Sequence, residues 1–79
     1  MTEQTLGHRR VRATFNPSAN SLVDVIKVKS AEMIDFCETL RKMPGLSPEQ
    51  ANECGRLCSL AQTSYEEAAM WAVKAATTV

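Results

Sequence analysis

A short run of helix-breaking residues, MPGLSPEQ at positions 43–50, separates two long amphipathic patterns and constrains the fold more than any other feature. Pro44 and Gly45 end the first pattern, because proline cannot continue a helix and glycine suits its C-terminal cap. Ser47, Pro48 and Gln50 suit the N-cap, N1 and N3 positions of a second helix, where serine and glutamine form a capping box. A break of about five residues between two long helices predicts an antiparallel helical hairpin.

The first helix is predicted over about residues 20–43, with Asn20 or Ser21 at its start. Apolar residues recur there at spacings of three, four and seven, as on one face of a helix. They are Val23, Ile26, Met33, Cys37 and Leu40. The second helix is predicted over about residues 48–77. On one face it carries a stripe of small or apolar residues, whose spacings alternate between four and three. That stripe consists of Cys54, Cys58, Ala61, Tyr65, Ala68, Ala72 and Ala75. We therefore expect an all-α fold in which the two stripes pack together.

A tight turn centred at positions 45–46 also predicts which residues of the two helices face each other. In an antiparallel pair joined by such a short loop, the sequence numbers of two residues that face each other add up to roughly 91. This register pairs Cys37 with Cys54 and Met33 with Cys58. Because each pair joins two stripe positions, the hairpin is predicted to be well specified.

Residues 1–19 show no sustained period and are predicted to form a basic N-terminal segment that ends in a turn at NPS. Together with the two helices, this segment forms a single domain, 1–79. The stretch GHRRVRATF is strongly basic, but the whole chain balances nine Lys and Arg against nine Asp and Glu. Proteins that coat duplex DNA carry a clear basic excess, so no duplex nucleic acid partner is expected.

The three cysteines, Cys37, Cys54 and Cys58, fall in register with the apolar positions of their helices. Free cysteine packs as a small hydrophobic residue, and the C-x2-C knuckles of structural zinc sites are absent from the sequence. A zinc site that adds His8 is the alternative, but we expect core cysteines, no metal and no cofactor. No apolar run approaches the roughly 18 residues of a membrane span, which favours a cytoplasmic protein.

A second apolar line lies on the second helix, beside the hairpin stripe. It consists of Leu57, Leu60, Ala69, Trp71 and Val73. A chain of this size buries only roughly 60% of its unfolded surface, so residues outside the hairpin stripe need a further partner. We expect a symmetric helical homo-oligomer, since such assemblies predominate among soluble proteins. A partner helix from a different protein is the alternative.

The sequence carries no recognisable catalytic constellation. It has one histidine, no glycine-rich phosphate loop and no supporting motif for a Ser/His/Asp or paired-carboxylate site. Glu66 and Glu67 are adjacent and diverge by about 100° on a helix. These observations predict a binding protein rather than an enzyme.

The chain resembles, over about residues 8–78, the small helical-hairpin domain of phage anti-CBASS and anti-Thoeris sponge proteins. Three segments carry the resemblance: FNPSANSLVDVIK, AEMIDFCETL and LAQTSYEEAAMWAVKAATT. The resemblance implies a homohexamer of hairpins that sequesters cyclic oligonucleotides of bacterial antiphage signalling in the host bacterial cytoplasm. It implies that cyclic dinucleotides such as cyclic GMP-AMP bind between protomers. Cyclic trinucleotides bind separately, around three-fold axes, in some members.

The same resemblance implies binding roles for particular residues. Lys27 matches a phosphate-binding lysine, and Phe15, or Thr14 in the alternative alignment, matches an aromatic residue that stacks on a base. Asn16 is the nearby polar group that can read a base edge or a phosphate. Further cations come from the basic N-terminal segment and from the end of the second helix, near the trinucleotide pocket: Arg9, Arg10, Arg12 and Lys74.

Each of these residues also has an ordinary structural interpretation. The arginines suit a basic tail, and Lys27 suits a solvated helix surface, where most charged residues lie. Asn16 precedes a proline and suits a turn, while Lys74 suits the negative end of a helix dipole. The alternative function is a small helical adaptor or regulator that binds a protein partner or DNA through its basic N-terminal segment.

Overall fold

The computed structural model describes residues 4–14, 16 and 20–78, and three α-helices lie within those ranges. They are α1 (Leu6–Val11), α2 (Ser21–Arg41) and α3 (Pro48–Ala76). No strand occurs in the described residues, so the all-α prediction is confirmed. Helices α2 and α3 form the hairpin, and α1 packs against both.

Side-chain caps define where the two long helices begin. At the start of α2, the Asn20 side chain accepts a hydrogen bond from Leu22 N at 2.8 Å. At the start of α3, Gln50 N donates to Ser47 Oγ at 3.1 Å and Ser47 N donates to Gln50 Oε1 at 3.0 Å. This pair is the predicted capping box, and it satisfies N–H groups that have no partner inside the helix.

Helix α1 lies within the N-terminal segment, for which the sequence pattern predicted no regular structure, and this part of the prediction is corrected. Thr5 caps the helix by accepting a hydrogen bond from His8 N at 3.1 Å. Gly7 N donates to Asp35 Oδ1 of α2 at 2.7 Å. Six residues are too few to show a helical period, and a helix this short is unstable alone in water. Its contacts with α2 and α3 therefore stabilise it.

The hairpin register differs from the predicted one by roughly five residues, a little more than one turn of α3. Gln62 Nε2 donates to Ile34 O at 3.1 Å, and Arg41 Nη1 donates to Gly55 O at 3.0 Å. The end of α2 thus lies level with Gly55, so the first two turns of α3 extend about 10 Å beyond it at 1.5 Å per residue. The loop between the helices spans this distance instead of forming the tight turn that the prediction assumed.

The predicted pairs Cys37–Cys54 and Met33–Cys58 are therefore wrong. Cys54 Sγ lies 3.4 Å from Leu40 O, to which it donates a hydrogen bond. Met33 is 42% exposed, although Cys58 is buried. The first difference follows from the displacement of α3 along α2, and the exposure of Met33 reflects a different buried face of α2.

A polar cluster in the middle of the hairpin fixes this register. Gln62 is 2% exposed, and its Nε2 donates to Glu38 Oε1 at 2.9 Å as well as to Ile34 O. Arg41 donates through Nη2 to Gln62 Oε1 at 2.8 Å and through Nε to Glu38 Oε1 at 3.3 Å. The hydrogen bond from Gln62 and the charge of Arg41 lower the pKa of Glu38. A shift of one turn would leave the buried amide unpaired, at a cost of about 1–3 kcal/mol.

Helix α1 crosses α2 at a point of very close backbone approach. Gly7 is buried, and a Cβ atom at this position would lie 2.0 Å from Ala31 O. Ala31 is fully buried and forms the core cluster with Val11, Ile34 and Ala69. The core therefore includes residues from all three helices, and it is not confined to the seam between α2 and α3.

The buried stripe of α2 is rotated relative to the predicted one. It consists of Val23, Lys27, Ala31, Ile34 and Cys37. Ile26 and Leu40 are only half-buried, and Met33 is exposed. The rotation arises because α1 covers the side of α2 that carries Ala31, a contact that a two-helix prediction does not include.

The cysteines pack as apolar residues in this arrangement. Cys37 and Cys58 are buried, and Cys54 Sγ lies 4.0 Å from Cys58 Sγ. Burial, followed by the hydrogen bond with Cys54, raises the pKa of the Cys58 thiol. Among the described residues, no group of three or more His, Cys, Asp or Glu is placed to hold a metal ion.

Large apolar side chains remain exposed on both long helices. They include Leu57, Leu60 and Trp71 of the second apolar line, whereas Ala69 of that line belongs to the core. Trp71 is 56% exposed in the single chain. Large exposed apolar patches mark interaction sites. Within the described residues, no helix is long and apolar enough to cross a membrane.

We predict that Gly7→Ala displaces α1 from the hairpin, because the added Cβ would overlap Ala31 O. Overpacking of this kind costs about 1–3 kcal/mol in the free energy of unfolding. Hydrogen–deuterium exchange should become faster at the amides of α1, and thermal melting should report the loss of stability.

Gly55→Ala is the matched control, since Gly55 lies inside α3 and a Cβ atom there lies 3.5 Å from Arg41 Nη1, an ordinary contact. Replacing glycine in a helix interior should stabilise the chain by about 0.5–1 kcal/mol. Equal exchange rates for α1 in the wild type and in Gly7→Ala would contradict the packing described above.

Candidate ligand-binding groove

A groove of about 680 Å³ lies between α1 and α3, and Lys27 of α2 contributes to its lining. This volume falls within the roughly 300–1,000 Å³ range of small-molecule sites. Arg10, Val11 and Arg12 line it from α1 and its C-cap. Six further lining residues come from α3: Thr63, Glu66, Glu67, Ala69, Met70 and Val73.

Arg12 enters the groove because it ends α1 in the left-handed conformation. Its backbone has φ 55° and ψ 54°, which is uncommon for a residue other than glycine, asparagine or aspartate. Arg12 N donates to Arg9 O at 3.3 Å, and Ala13 N donates to His8 O at 2.9 Å. These bonds satisfy two of the last carbonyls of α1 and place an arginine at the end of the helix, beside Lys27.

Lys27 is 7% exposed, and its Nζ donates to Arg12 O at 3.0 Å. Lys27 is therefore not the solvated surface lysine of the ordinary interpretation. Its pKa lies below the usual value of 10.5, first because of burial and second because of the charge of Arg12, while Asp24 acts in the opposite direction. The lysine thus connects α2 to the C-cap of α1 and adds positive charge beneath the groove.

Arg10 is the least satisfied cation of the groove. Its Nε lies 4.0 Å from Glu66 Oε2, which is an ion pair but too long for a hydrogen bond. Its Nη1 is buried and has no hydrogen-bond partner in the described part of the chain. A guanidinium has five N–H donors, so Arg10 retains donor capacity for an anion.

Helix α3 supplies the opposite side of the groove with a mixed surface. Met70, Val73 and Ala69 contribute apolar atoms, and Met70 is exposed. Glu66 and Glu67 contribute carboxylates. The groove therefore combines cations suited to phosphate, apolar surface suited to a base, and acceptors suited to N–H or O–H donors.

A second groove of about 490 Å³ lies near the end of the hairpin and has a different character. Its lining includes Leu40, Met43, Leu57 and the three cysteines, and Glu53 is its only charged member. It offers no cation for an anionic ligand.

The other residues predicted for the site are placed elsewhere. Asn16 Nδ2 donates to Asn20 O at 2.8 Å and to Asp24 Oδ1 at 2.9 Å, so Asn16 supports the turn into α2. Arg9 is exposed and does not line the groove. Phe15 lies outside the described residues.

Lys74 is also separate from the groove. It is exposed near the end of α3, and its Nζ lies 5.5 Å from the centre of the Trp71 ring. This is a cation–π contact on the outer surface of the helix.

The structure thus brings together Arg10, Arg12 and Lys27 from the predicted set. Sequence reasoning missed the α3 side of the site, above all Glu66 and Met70. Their spacing of four places them on one helix face, but that spacing alone does not show that α1 lies opposite them.

A family model described as "Acb2/Tad1, hairpin domain" matches residues 7–77, and the chain belongs to this family. It is the family of anti-CBASS and anti-Thoeris sponges, which bind cyclic nucleotides, form oligomers and act by binding rather than by catalysis. The resemblance noted in the sequence is therefore confirmed. No curated protein and no solved structure matched the chain.

We predict that Lys27 makes the free energy of unfolding rise with pH in the alkaline range. Burial lowers the folded-state pKa below 10.5, so between these two values the unfolded chain binds more protons than the folded chain. The cost of the buried charge is present at lower pH and is relieved as pH increases through the folded-state value.

Thermal or urea unfolding between about pH 8 and the unfolded lysine pKa of about 10.4 tests this. Lys27→Met should reduce the increase of stability with pH, whereas Lys29→Met, at an exposed position of the same helix, should leave it unchanged. Identical pH slopes for the wild type and Lys27→Met would contradict the assignment.

Proposed function

We propose that this chain sequesters cyclic oligonucleotides, in particular cyclic dinucleotides such as cyclic GMP-AMP, and so blocks CBASS antiphage signalling. It acts without catalysis, in the host bacterial cytoplasm, and serves immune evasion by a phage. The observation that carries the proposal is the convergence of Arg10, Arg12 and Lys27 in one groove of a protein that belongs to a sponge family.

The groove chemistry supports a ligand with phosphates and bases. Arg10 and Arg12 are the cations with side chains at the groove, and charge-assisted hydrogen bonds to phosphate are among the strongest polar contacts. Lys27 reaches a phosphate from its buried position and also holds the C-cap of α1 through Arg12 O. Met70 and Val73 provide apolar surface for a base.

The remaining predicted residues extend this site in the proposal. Arg9 adds positive charge near α1, and Phe15 stacks on a base, or Thr14 occupies that position. Asn16 reads a base edge or a phosphate from the turn before α2. Lys74, which lies away from the groove, belongs to a separate pocket for cyclic trinucleotides.

We further propose that the functional unit is a homohexamer of hairpins. The exposed apolar side chains of the single chain support assembly, because Leu57, Leu60 and Trp71 are each more than half exposed. Burial of these side chains between copies would offset the small core of a 79-residue chain.

Isothermal titration with a cyclic dinucleotide tests the binding proposal, and chromatography of the released ligand tests the absence of catalysis. The ligand should bind, stabilise the protein against heat and be recovered intact. A helical regulator that binds only DNA or a protein would show no thermal shift with the nucleotide.

We predict that Arg10→Gln and Lys27→Ala each weaken dinucleotide binding by roughly ten- to a hundredfold. The reason is that loss of a hydrogen bond to a charged group costs about 1.5–3 kcal/mol. Titration calorimetry measures the change. Lys74→Ala is the control, since it also removes one cation but lies outside the groove, and its dinucleotide affinity should match the wild type. Equal losses in all three variants would indicate an effect of overall charge and contradict the site.

We predict that Trp71→Ala lowers the order of assembly, because buried aromatic residues contribute about 2 kcal/mol or more at interfaces. Light scattering or native mass spectrometry of the wild type and the variant measures this. A wild-type chain that is monomeric and folded at micromolar concentration would contradict the proposed hexamer.

A further inference from the structure

We propose that Glu66 is a specificity-determining residue that reads the base edge of the bound nucleotide and makes the groove prefer guanine over adenine. The inference rests on the proposed function, and it assigns a role to a carboxylate that phosphate binding alone does not explain.

The position of Glu66 is the first observation. It lines the same groove as Arg10, Arg12 and Lys27 but comes from the opposite helix. Its Oε2 lies 4.0 Å from Arg10 Nε, so the ion pair orients the carboxylate without forming a hydrogen bond. Within the described residues the Glu66 oxygens accept no hydrogen bond, so both remain available as acceptors.

The charge of Glu66 is the second observation. A carboxylate in a groove that binds an anion repels the phosphates, and hydrogen bonds from donors of the ligand can offset this cost. The phosphates of a cyclic dinucleotide are matched by the cations of α1 and α2, so the donors that reach α3 belong to a base or a ribose.

Base chemistry then distinguishes the two purines. Guanine presents N1–H and the N2 amino group side by side on its Watson–Crick edge, and these two donors match the two oxygens of a carboxylate. Adenine presents one donor, at N6, beside the N1 acceptor, which would face a carboxylate oxygen unfavourably. Recognition of exposed bases on this edge is general in protein–nucleotide complexes.

Met70 supplies the accompanying contact with the base face. It follows Glu66 by four positions, so the two side chains are neighbours on one face of α3. Met70 is exposed and lines the groove. A purine that lies on Met70 therefore directs one edge toward Glu66.

Titration calorimetry with cyclic di-GMP and cyclic di-AMP tests the inference, because the two ligands share ring size, charge and sugars and differ only in their bases. The wild type should bind cyclic di-GMP roughly tenfold or more tightly, the discrimination expected of a bidentate base contact. Glu66→Gln should abolish or reverse this preference, since glutamine offers one donor and one acceptor and suits adenine. Glu49→Gln removes the same charge from an exposed position of α3 outside the groove and should keep the preference.

Each other result overturns the inference. Binding of both ligands by the wild type without preference refutes the role of Glu66 while leaving the proposed function intact. An equal effect of Glu66→Gln on both ligands indicates a ribose contact, and an equal change of preference in Glu49→Gln indicates a general charge effect. Failure of the wild type to bind either ligand, or cyclic GMP-AMP, refutes the proposed function itself.

Discussion

Gly7 lies directly against the backbone of Ala31, and the groove depends on this contact. A side chain as small as methyl would meet Ala31 O at 2.0 Å, so only glycine allows α1 to lie this close to α2. The amide of Gly7 also donates to Asp35, which ties the start of α1 to the same helix. With α1 in this position, Arg10 and Arg12 lie opposite α3, and the hairpin acquires a concave surface.

Lys27 couples the fold to the site. Its ammonium group is buried, which is costly for a charge, and it donates to the carbonyl of Arg12 at the left-handed end of α1. A buried lysine with a lowered pKa is common where a protein holds a cation ready for an anionic partner, and it also occurs in purely structural networks. Here the same side chain holds the backbone of Arg12, so Lys27 and Arg12 are positioned together.

The polar cluster of Gln62, Glu38 and Arg41 has a consequence at the opposite surface. The cluster holds α3 in a position about one turn further along α2 than a tight interhelical turn would allow. The start of α3 therefore projects beyond the end of α2. Met33 of α2 and Leu57 of α3 are both exposed in the single chain. Hydrogen bonds therefore determine the register of this hairpin, while several large apolar side chains remain exposed in the single chain.

The local structure of both long helices could be predicted from the residues alone. Ser47 and Gln50 form the predicted capping box because capping depends only on residues three positions apart, and the periodic apolar positions indicated both long helices. The family resemblance identified Arg10, Arg12 and Lys27 as binding cations. It did not show that they converge in one groove. The register could not be predicted, since the buried amide of Gln62 and its partners lie more than twenty residues apart in the chain and no periodicity encodes their pairing. Long-range packing likewise accounts for α1 and for the α3 side of the groove, because six residues form a stable helix only when such packing supports them.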